Sequence, residues 1–190
     1  MKEIYAAVIG AGPAGLTAGI YLGRARLKTI IFEKALAGGQ MAVSELIENF
    51  PGFPDGISGV HLAENMRNQA LKYGAEIVEE EVKDIKKSDN FMIKTAGDAE
   101  YKAKAVIIAT GAQPKRLGVP GEDMFIGKGV SYCATCDAPL FKEKTVLVVG
   151  GGDTAVQEAL FLAKYAKKVY LVHRRDRLRA TEVLAERLAV

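Results

Sequence analysis

Apolar residues in the first part of the chain follow two different spacings. Residues 4–9 form a short continuous apolar run, which predicts a buried strand, and residues 14–24 repeat apolar positions at helical spacing. Residues 29–32 again have strand character, and the segment ends at Glu33. The pattern predicts a βαβ unit with a glycine-rich turn between its first strand and its helix.

The same order of elements returns later in the chain. Residues 145–149 form a second apolar run, typical of a buried strand, residues 154–166 are spaced as a helix, and residues 168–172 are again strand-like. The last segment, 176–190, has a helical pattern but no Gly, Asn or Pro to end it. We therefore expect the chain to be a piece of a longer polypeptide.

Loops and one further helix are predicted after the first unit. Residues 37–40 and 49–56 are rich in turn formers and are predicted to be loops. Ser58 is a suitable N-cap for a helix with its apolar positions on one side, and Gly74 stands where a left-handed residue ends such a helix.

The middle of the chain changes to short, charged, alternating segments. Residues 81–85 and 91–95 suit an antiparallel hairpin or meander, whereas residues 105–109 are fully apolar, as in a parallel strand buried on both faces. Residues 113–121 are rich in turn formers, and we expect a hinge between domains there.

These elements together predict an α/β fold class. We expect two Rossmann-like three-layer dinucleotide-binding domains, the first over residues 1–113 with an antiparallel β-meander and the second over residues 114–190. The repetition of strand, glycine turn, helix and strand indicates two related units. Both domains are expected to be incomplete over the sequence given.

Composition and charge exclude several classes of protein. The chain has 190 residues, 49% of them hydrophobic, and its 26 basic and 23 acidic residues are interspersed and leave a net charge of +3. This balance does not favour nucleic acid or a membrane surface as a partner. No stretch approaches the roughly 20 apolar residues of a membrane span, and the first apolar run is too short for a signal peptide. We expect a cytoplasmic protein.

Two glycine-rich turns are the candidate phosphate-binding sites. In such a turn the first glycine permits a sharp bend, the second permits close approach of a pyrophosphate, and the third, or an alanine, permits close packing of helix on strand. The helix then directs its unpaired N–H groups at the anion. The candidate residues are Gly10, Gly12, Pro13, Ala14 and Gly15 in the first turn and Gly150, Gly152, Asp153, Thr154 and Ala155 in the second.

The residue that follows the second strand separates the two predicted ligands. Glu33 and His173 each stand 23 positions after the first glycine of their turn. A carboxylate there accepts hydrogen bonds from both ribose hydroxyls, whereas the guanidinium groups of Arg174, Arg175 and Arg179 suit a 2′-phosphate. We therefore predict NADPH at the second turn. The alternative is that the basic residues only begin a solvated helix.

Cys133 and Cys136 are the only cysteines of the chain, and Asp137 follows them directly. On a helical turn their sulfurs can form a disulfide, and a helix N-terminus favours the reactive thiolate. Asp137 is placed to exchange a proton as the sulfurs change state. The competing hypothesis is a zinc site with His61 and His173, although these histidines lack the short-spaced partners usual in structural zinc sites.

The combination of motifs closely resembles the low-molecular-weight, bacterial and archaeal type of thioredoxin reductase. The resemblance extends over essentially the whole chain, and its most diagnostic part is the string Cys-Ala-Thr-Cys-Asp before the second nucleotide turn. The matching segments are residues 10–15, 38–40, 48–54, 109–112, 133–137, 150–155 and 173–176.

This resemblance implies FAD in the first domain, NADPH in the second, and a homodimer. It implies that Cys136 faces the flavin, that Cys133 attacks thioredoxin, and that Asp137 is the general acid. In this family the nucleotide domain rotates, and we expect residues 113–118 to be the hinge. Besides the first glycine turn and Glu33, the candidate FAD-binding residues are Lys34, Gly38, Gly39, Gln40, Asn49, Val82, Ala109, Thr110 and Gly111.

Three alternatives to a thioredoxin reductase remain at this stage. The first is a relative with another acceptor, such as a flavoprotein that reduces a peroxiredoxin. The second is a nucleotide-binding module without turnover, and the third is a zinc-binding interaction module. In the family the chain returns after the nucleotide domain to complete the flavin fold, which residues 1–190 do not reach. We therefore expect the isolated chain to bind FAD weakly.

Overall fold

The computed structural model describes residues 1–188. The chain divides into two compact units, Met1–Gln113 (unit 1) and Pro114–Val190 (unit 2). In the described residues, no helix is both long enough and apolar enough to cross a membrane.

Unit 1 is built on a six-stranded mixed sheet in the order β3-β2-β1-β6-β5-β4. Its elements are β1 (Lys2–Ile9), α1 (Pro13–Arg24), β2 (Thr29–Phe32), a 3₁₀ turn (Gly39–Val43), α2 (Gly59–Lys72), β3 (Glu76–Val78), β4 (Val82–Lys87), β5 (Phe91–Thr95) and β6 (Glu100–Ile108). The predicted βαβ unit, the capped helix after Ser58 and the antiparallel meander are all confirmed.

The parallel part of this sheet determines where a ligand site can form. Strand β1 pairs in parallel with both β2 and β6, so the carboxyl ends of these three strands lie at one edge. The antiparallel strands β4 and β5 continue the sheet beyond β6. In open α/β sheets, ligands bind in the crevice at the carboxyl ends of the strands. The predicted α/β class is therefore confirmed together with a candidate edge.

The central strands of unit 1 are buried on both faces. Val8 and Ile31 point into a cluster with helices α1 and α2, whereas Ile30 and Phe32 point into a second cluster on the opposite face. In the second cluster Phe32 packs edge to face on Tyr101, with ring centroids 4.9 Å apart. Helices cover one face and meander residues cover the other, which explains why β1 and β2 are continuous apolar runs.

Three features of unit 1 differ from the sequence-based expectation. Strand β3, which pairs in parallel with β2, was not predicted, and the expected loop at residues 37–40 leads into the 3₁₀ turn Gly39–Val43. Burial of residues 105–109 on both faces is wrong, because Ile107 and Ile108 are exposed at the end of β6. An apolar run predicts a strand correctly but does not report whether another element covers it.

Unit 2 contains the second βαβ arrangement. Its elements are α3 (Glu122–Phe125), α4 (Ala134–Asp137), a 3₁₀ turn (Ala138–Phe141), β7 (Thr145–Val149), α5 (Asp153–Leu162), β8 (Lys168–Val172) and α6 (Glu182–Glu186). Strands β7 and β8 pair in parallel, as the repeated pattern predicts. The buried centre is a cluster that joins α4, the 3₁₀ turn, β7 and α5 through Ala134, Ala138, Val148, Ala159 and Leu162.

The expectation that β7 is fully buried is wrong. Leu147 and Val149 alternate with the buried Val148 and are exposed, and Tyr170 and Val172 of β8 are exposed as well. One face of the two-stranded sheet therefore packs on α5, and the other is uncovered within unit 2.

Two helices of unit 2 are shorter than predicted. The predicted helix at 154–166 ends as α5 at Leu162, because the following N–H groups of Lys164 and Tyr165 bond three residues back. The predicted helix at 176–190 is confined to α6. The N–H groups of Arg179 and Ala180 donate instead to the Gly151 carbonyl, which keeps that segment extended along the glycine turn. Residues 189–190 lie outside the described part.

Candidate nucleotide and dithiol sites

Two glycines of the first turn are required by the fold itself. Gly10 has φ +105°, and a Cβ there would lie 2.3 Å from the carbonyl oxygen of Ala109. A Cβ on Gly15 would lie 1.8 Å from the carbonyl oxygen of Gly10. Neither position accepts a side chain without displacing the backbone, so both glycines have a structural explanation.

Gly12 has no comparable explanation within unit 1. Its φ is −71°, which any residue adopts, and a Cβ there would meet nothing within 4 Å. It is the N-cap of α1, and among the described residues no side chain caps this helix end. The first N–H groups of α1 therefore face open space. Pro13 adds no donor there, because proline has no backbone N–H. This opening fits a pyrophosphate.

The second turn repeats this arrangement. A Cβ on Gly150 would lie 2.7 Å from the Cβ of Ala155, so the two residues are in close contact. Gly152, the N-cap of α5, has φ −97°, open space where a Cβ would be, and no side-chain cap among the described residues. Asp153 begins the helix and accepts the N–H of Thr181 at 2.7 Å. Its neighbour Thr154 is exposed.

Glu33 directly follows β2 and lies beside the first turn. One carboxylate oxygen accepts the N–H of Ala11 at 2.8 Å, and the other accepts the N–H of Ala35 at 3.1 Å. These bonds fix the carboxylate at the carboxyl edge of the sheet. An ionised carboxylate offers about four acceptor directions, so Glu33 retains acceptor capacity for ribose hydroxyls.

Several other candidates of unit 1 meet at this edge. Gly38 donates its N–H to the Ala11 carbonyl at 2.8 Å, and a Cβ on Gly39 would lie 3.3 Å from the Cα of Gly12. On the other side of β1, Ala109 donates its N–H to the Ile9 carbonyl at 2.8 Å. Three exposed residues continue from these positions, namely Gln40, Thr110 and Gly111.

Three predicted residues are less directly connected to the turn. Asn49 is exposed in a loop closed by the bridge between Ile47 and Ile57, and no described contact joins it to the glycine turn. Val82 begins β4 and packs on the Phe32 side of the sheet. Lys34 is exposed and lies close enough to Glu81, the neighbour of Val82, to affect its pKa. The pKa of Glu81 is lowered mainly by its hydrogen bond to Lys83 and, to a smaller extent, by the charge of Lys34.

His173 occupies in unit 2 the place that Glu33 has in unit 1. A Cβ on Gly151 would lie 2.5 Å from the imidazole ring, so the ring packs directly against the turn. Its Nε2 is buried and has no hydrogen-bond partner in the described structure. Arg174, Arg175 and Arg179 are exposed, and the N–H of Arg179 donates to the Gly151 carbonyl at 2.6 Å. The predicted cationic group therefore adjoins the second turn.

The two cysteines form a disulfide at the start of α4. Their Cα atoms are 5.3 Å apart, and the sulfur of Cys133 accepts the N–H of Cys136 at 3.2 Å. Cys133 and Asp137 are half-buried, whereas Cys136 is exposed. Within residues 1–188, no group of three or more His, Cys, Asp or Glu side chains could hold a metal ion. The disulfide also leaves neither sulfur as a thiolate ligand for zinc.

Sequence reasoning missed Glu158, a residue of α5. Its carboxylate accepts the N–H of Ala134 at 3.1 Å, directly after Cys133. Burial raises the pKa of Glu158, and the bond from Ala134 offsets part of that rise. Nothing in the local pattern of α5 distinguishes Glu158 from a solvated helix residue, because its importance depends on α4 packing alongside.

Sequence reasoning also missed Glu122. This carboxylate is only 7% exposed and accepts the N–H of Leu117 at 2.8 Å, the N–H of Gly118 at 2.6 Å and the hydroxyl of Tyr132 at 2.5 Å. The hydrogen bond from Tyr132, followed by those from the backbone, lowers the pKa of Glu122 to about 2. Glu122 thus ties the segment that begins unit 2 to the residue before Cys133.

Comparisons with known proteins identify the family of the chain. A family model described as pyridine nucleotide-disulphide oxidoreductase matches residues 5–189. Thioredoxin reductase of Bacillus subtilis (strain 168) is 50% identical over 180 residues, which cover 95% of this chain and 57% of that protein. Thioredoxin reductase of Peptoclostridium acidaminophilum is 49% identical over 188 residues, which cover 98% of this chain and 60% of that protein.

Solved structures show the same relationship. Thioredoxin reductase of Lactococcus lactis in its FR conformation matches with a TM-score of 0.94 and 42% identity, over 97% of this chain and 60% of that one. Thioredoxin reductase of T. acidophilum matches with a TM-score of 0.93 and 38% identity, over 100% of this chain and 62% of that one.

The chain belongs to the pyridine nucleotide-disulphide oxidoreductase family. Within that family the resemblance to thioredoxin reductases, drawn from the motifs, is confirmed. The chain spans 57 to 60% of the length of the two curated relatives named above.

The contrast between Gly12 and Gly15 predicts different effects on stability. Gly12→Ala should change the free energy of unfolding by less than about 1 kcal/mol, because its Cβ meets no atom. Gly15→Ala should lower it by about 2–3 kcal/mol or more, because its Cβ collides with the Gly10 carbonyl. Urea unfolding followed by circular dichroism measures both variants. Equal losses would contradict the distinction between the two glycines.

Glu122 predicts a pH-dependent contribution to stability. Its pKa falls from 4.5 to about 2 on folding, so the carboxylate stabilises the fold above about pH 4.5, and this stabilisation is lost as the pH falls towards 2. Glu122→Gln should therefore be less stable than the unsubstituted chain near neutral pH, and the difference should shrink between pH 4.5 and 2. Urea unfolding across that range measures it, with Glu182→Gln as an exposed control. A difference independent of pH would contradict the assignment.

Proposed function

We propose that the protein transfers electrons from NADPH, through FAD and the Cys133–Cys136 pair, to the disulfide of thioredoxin. This proposal depends on the disulfide at the start of α4. The same chain also contains two helix N-termini that have glycine at the N-cap position and no side-chain cap in the part of the chain that the structure describes. Similarity to thioredoxin reductases supports thioredoxin as the acceptor. It does not favour a peroxiredoxin or a module without turnover.

Unit 1 is the proposed FAD-binding part. The open N-terminus of α1 at Gly12 suits the pyrophosphate, and Glu33 suits the adenosine ribose, because its carboxylate is fixed beside the turn by Ala11. The exposed glycine-containing segments at Gly39 and Gly111 lie at the same edge and allow close approach of a cofactor.

Unit 2 is the proposed NADPH-binding part. The N-terminus of α5 at Gly152 suits the pyrophosphate of the dinucleotide. Arg174 and Arg175, with Arg179 beyond them, offer guanidinium groups to a 2′-phosphate where unit 1 has a carboxylate that would repel it. At this position the buried Nε2 of His173 also lacks a hydrogen-bond partner in the described structure.

When bound, NADPH and FAD together supply the two electrons that, with two protons, convert the disulfide to two thiols. The Cys133 thiolate attacks one sulfur of the thioredoxin disulfide, and the displaced sulfur leaves as a thiolate that takes up a proton. The Cys136 thiolate then attacks Cys133, which re-forms the pair and releases the second thioredoxin thiol. Asp137, half-buried beside Cys136, holds the proton that this exchange moves.

We also propose a cellular location and an oligomeric state. A redox pair that cycles between dithiol and disulfide suits a reducing cytoplasm. A homodimer is proposed from the family resemblance.

Substitution of the basic group tests the choice of dinucleotide. The double variant Arg174→Ala, Arg175→Ala should lose most of its preference for NADP⁺ over NAD⁺, because each charge-assisted hydrogen bond to a phosphate contributes about 1.5–3 kcal/mol. Titration calorimetry of the chain with both nucleotides measures the preference, with the double variant Lys142→Ala, Lys167→Ala, at two exposed lysines outside the group, as a charge-matched control. An unchanged preference would refute the proposed phosphate site.

Substitution of either cysteine tests the dithiol. With FAD in excess and oxidised thioredoxin present, Cys133→Ser and Cys136→Ser should each reduce NADPH consumption at least ~100-fold, because exchange needs both sulfurs. Anaerobic absorbance follows the reaction, and ferricyanide as a one-electron acceptor tests whether the variants still oxidise NADPH. Thioredoxin reduction that persists in either variant would remove the pair from the mechanism.

A further inference from the structure

Two acceptors share the amino-terminal N–H groups of α4. The sulfur of Cys133 accepts the N–H of Cys136 at 3.2 Å, and the carboxylate of Glu158 accepts the N–H of Ala134 at 3.1 Å. Cys133 is the N-cap of this short helix. The redox sulfur and the carboxylate therefore both accept backbone N–H groups of the same short helix.

Packing fixes the carboxylate in this place. Glu158 is half-buried on α5 and precedes Ala159, which lies in the cluster that joins α5 to Ala134 and Ala138. The bonded N–H belongs to the peptide bond between Cys133 and Ala134, so covalent geometry keeps the carboxylate within roughly 7 Å of the Cys133 sulfur. A fixed negative charge at that distance disfavours a second negative charge on the sulfur.

We propose that Glu158 is a positioning residue that also sets the acidity of the Cys133 thiol. It orients the start of α4 through Ala134, and its charge opposes formation of the Cys133 thiolate. The reduced pair thereby becomes a stronger reductant, because whatever destabilises the reduced form lowers the reduction potential. This role rests on the proposed function, in which Cys133 passes electrons to another protein.

One further carboxylate lies near this helix end, because Glu122 accepts the hydroxyl of Tyr132, the residue before Cys133. The 3₁₀ turn Ala138–Phe141, which follows α4, contains no charged residue. The remaining charged residues of α4 and α5 are Asp137 and Asp153, and Asp153 is bonded to the N–H of Thr181. Asp137 follows Cys136, whereas Glu158 is bonded next to Cys133. The influence of Glu158 can therefore be separated by substitution.

The test measures the acidity of a single thiol. In the Cys136→Ser chain, the rate of iodoacetamide alkylation across pH reports the pKa of Cys133. Added to this background, Glu158→Gln keeps an acceptor for the Ala134 N–H but removes the charge, whereas Glu158→Ala removes both. Glu182→Gln removes an exposed carboxylate elsewhere in unit 2 and is the control.

We expect Glu158→Gln to lower the pKa of Cys133 by about one unit, as for a charge within roughly 7 Å in a partly solvated site. Glu182→Gln should leave it unchanged. A shift below about 0.2 units, or a shift in the opposite direction, overturns the proposal. So does a shift in Glu158→Ala that is absent from Glu158→Gln, because the role would then be structural only.

A second measurement uses the intact pair. Equilibration of the unsubstituted chain and Glu158→Gln with glutathione buffers, above the thiol pKa, should show a higher reduction potential in the variant, by about 30 mV for a tenfold change in the equilibrium constant. An equal potential contradicts the proposal. Both measurements are independent of turnover. If the pKa and the reduction potential shift as expected but thioredoxin is not reduced, only the proposed function is refuted.

Discussion

Each nucleotide-type turn depends on one close contact, between the residue that opens the turn and a residue in the first turn of the helix. In unit 1 the Gly10 carbonyl occupies the space where a side chain of Gly15 would be, and in unit 2 Gly150 packs against Ala155. This contact holds the helix end against the end of the strand. The free N–H groups of α1 and α5 consequently face the carboxyl edge of their sheets, where a phosphate can bind.

The middle glycine of each turn has a different origin. Gly12 and Gly152 adopt backbone angles open to any residue and have empty space where a Cβ would lie. Packing within the chain therefore explains Gly10 and Gly15 but not these two. A glycine that the fold does not need, at an uncapped helix end, indicates that something outside the chain approaches the backbone there. This supports dinucleotide binding over a purely structural turn.

Two carboxylates outside the CxxC motif hold the chain on either side of Cys133. Glu122 fixes Tyr132 immediately before Cys133, and Glu158 bonds the amide immediately after it. Both carboxylates satisfy backbone N–H groups that lack a partner in a helix or strand, so each contributes to order as well as to the local field. The chain on either side of Cys133 is thus held by groups that have no sulfur chemistry of their own.

The sequence by itself determined the two βαβ units, the meander, the glycine turns, and the positions of Glu33, His173 and the cysteine pair. These features depend on local spacing, which controls backbone conformation directly. Only the tertiary structure decided that Leu147 is exposed, that residues after Arg175 lie along the turn at Gly151, and that Glu158 reaches α4. Exposure and charge proximity depend on which elements pack together, and no local period contains that information.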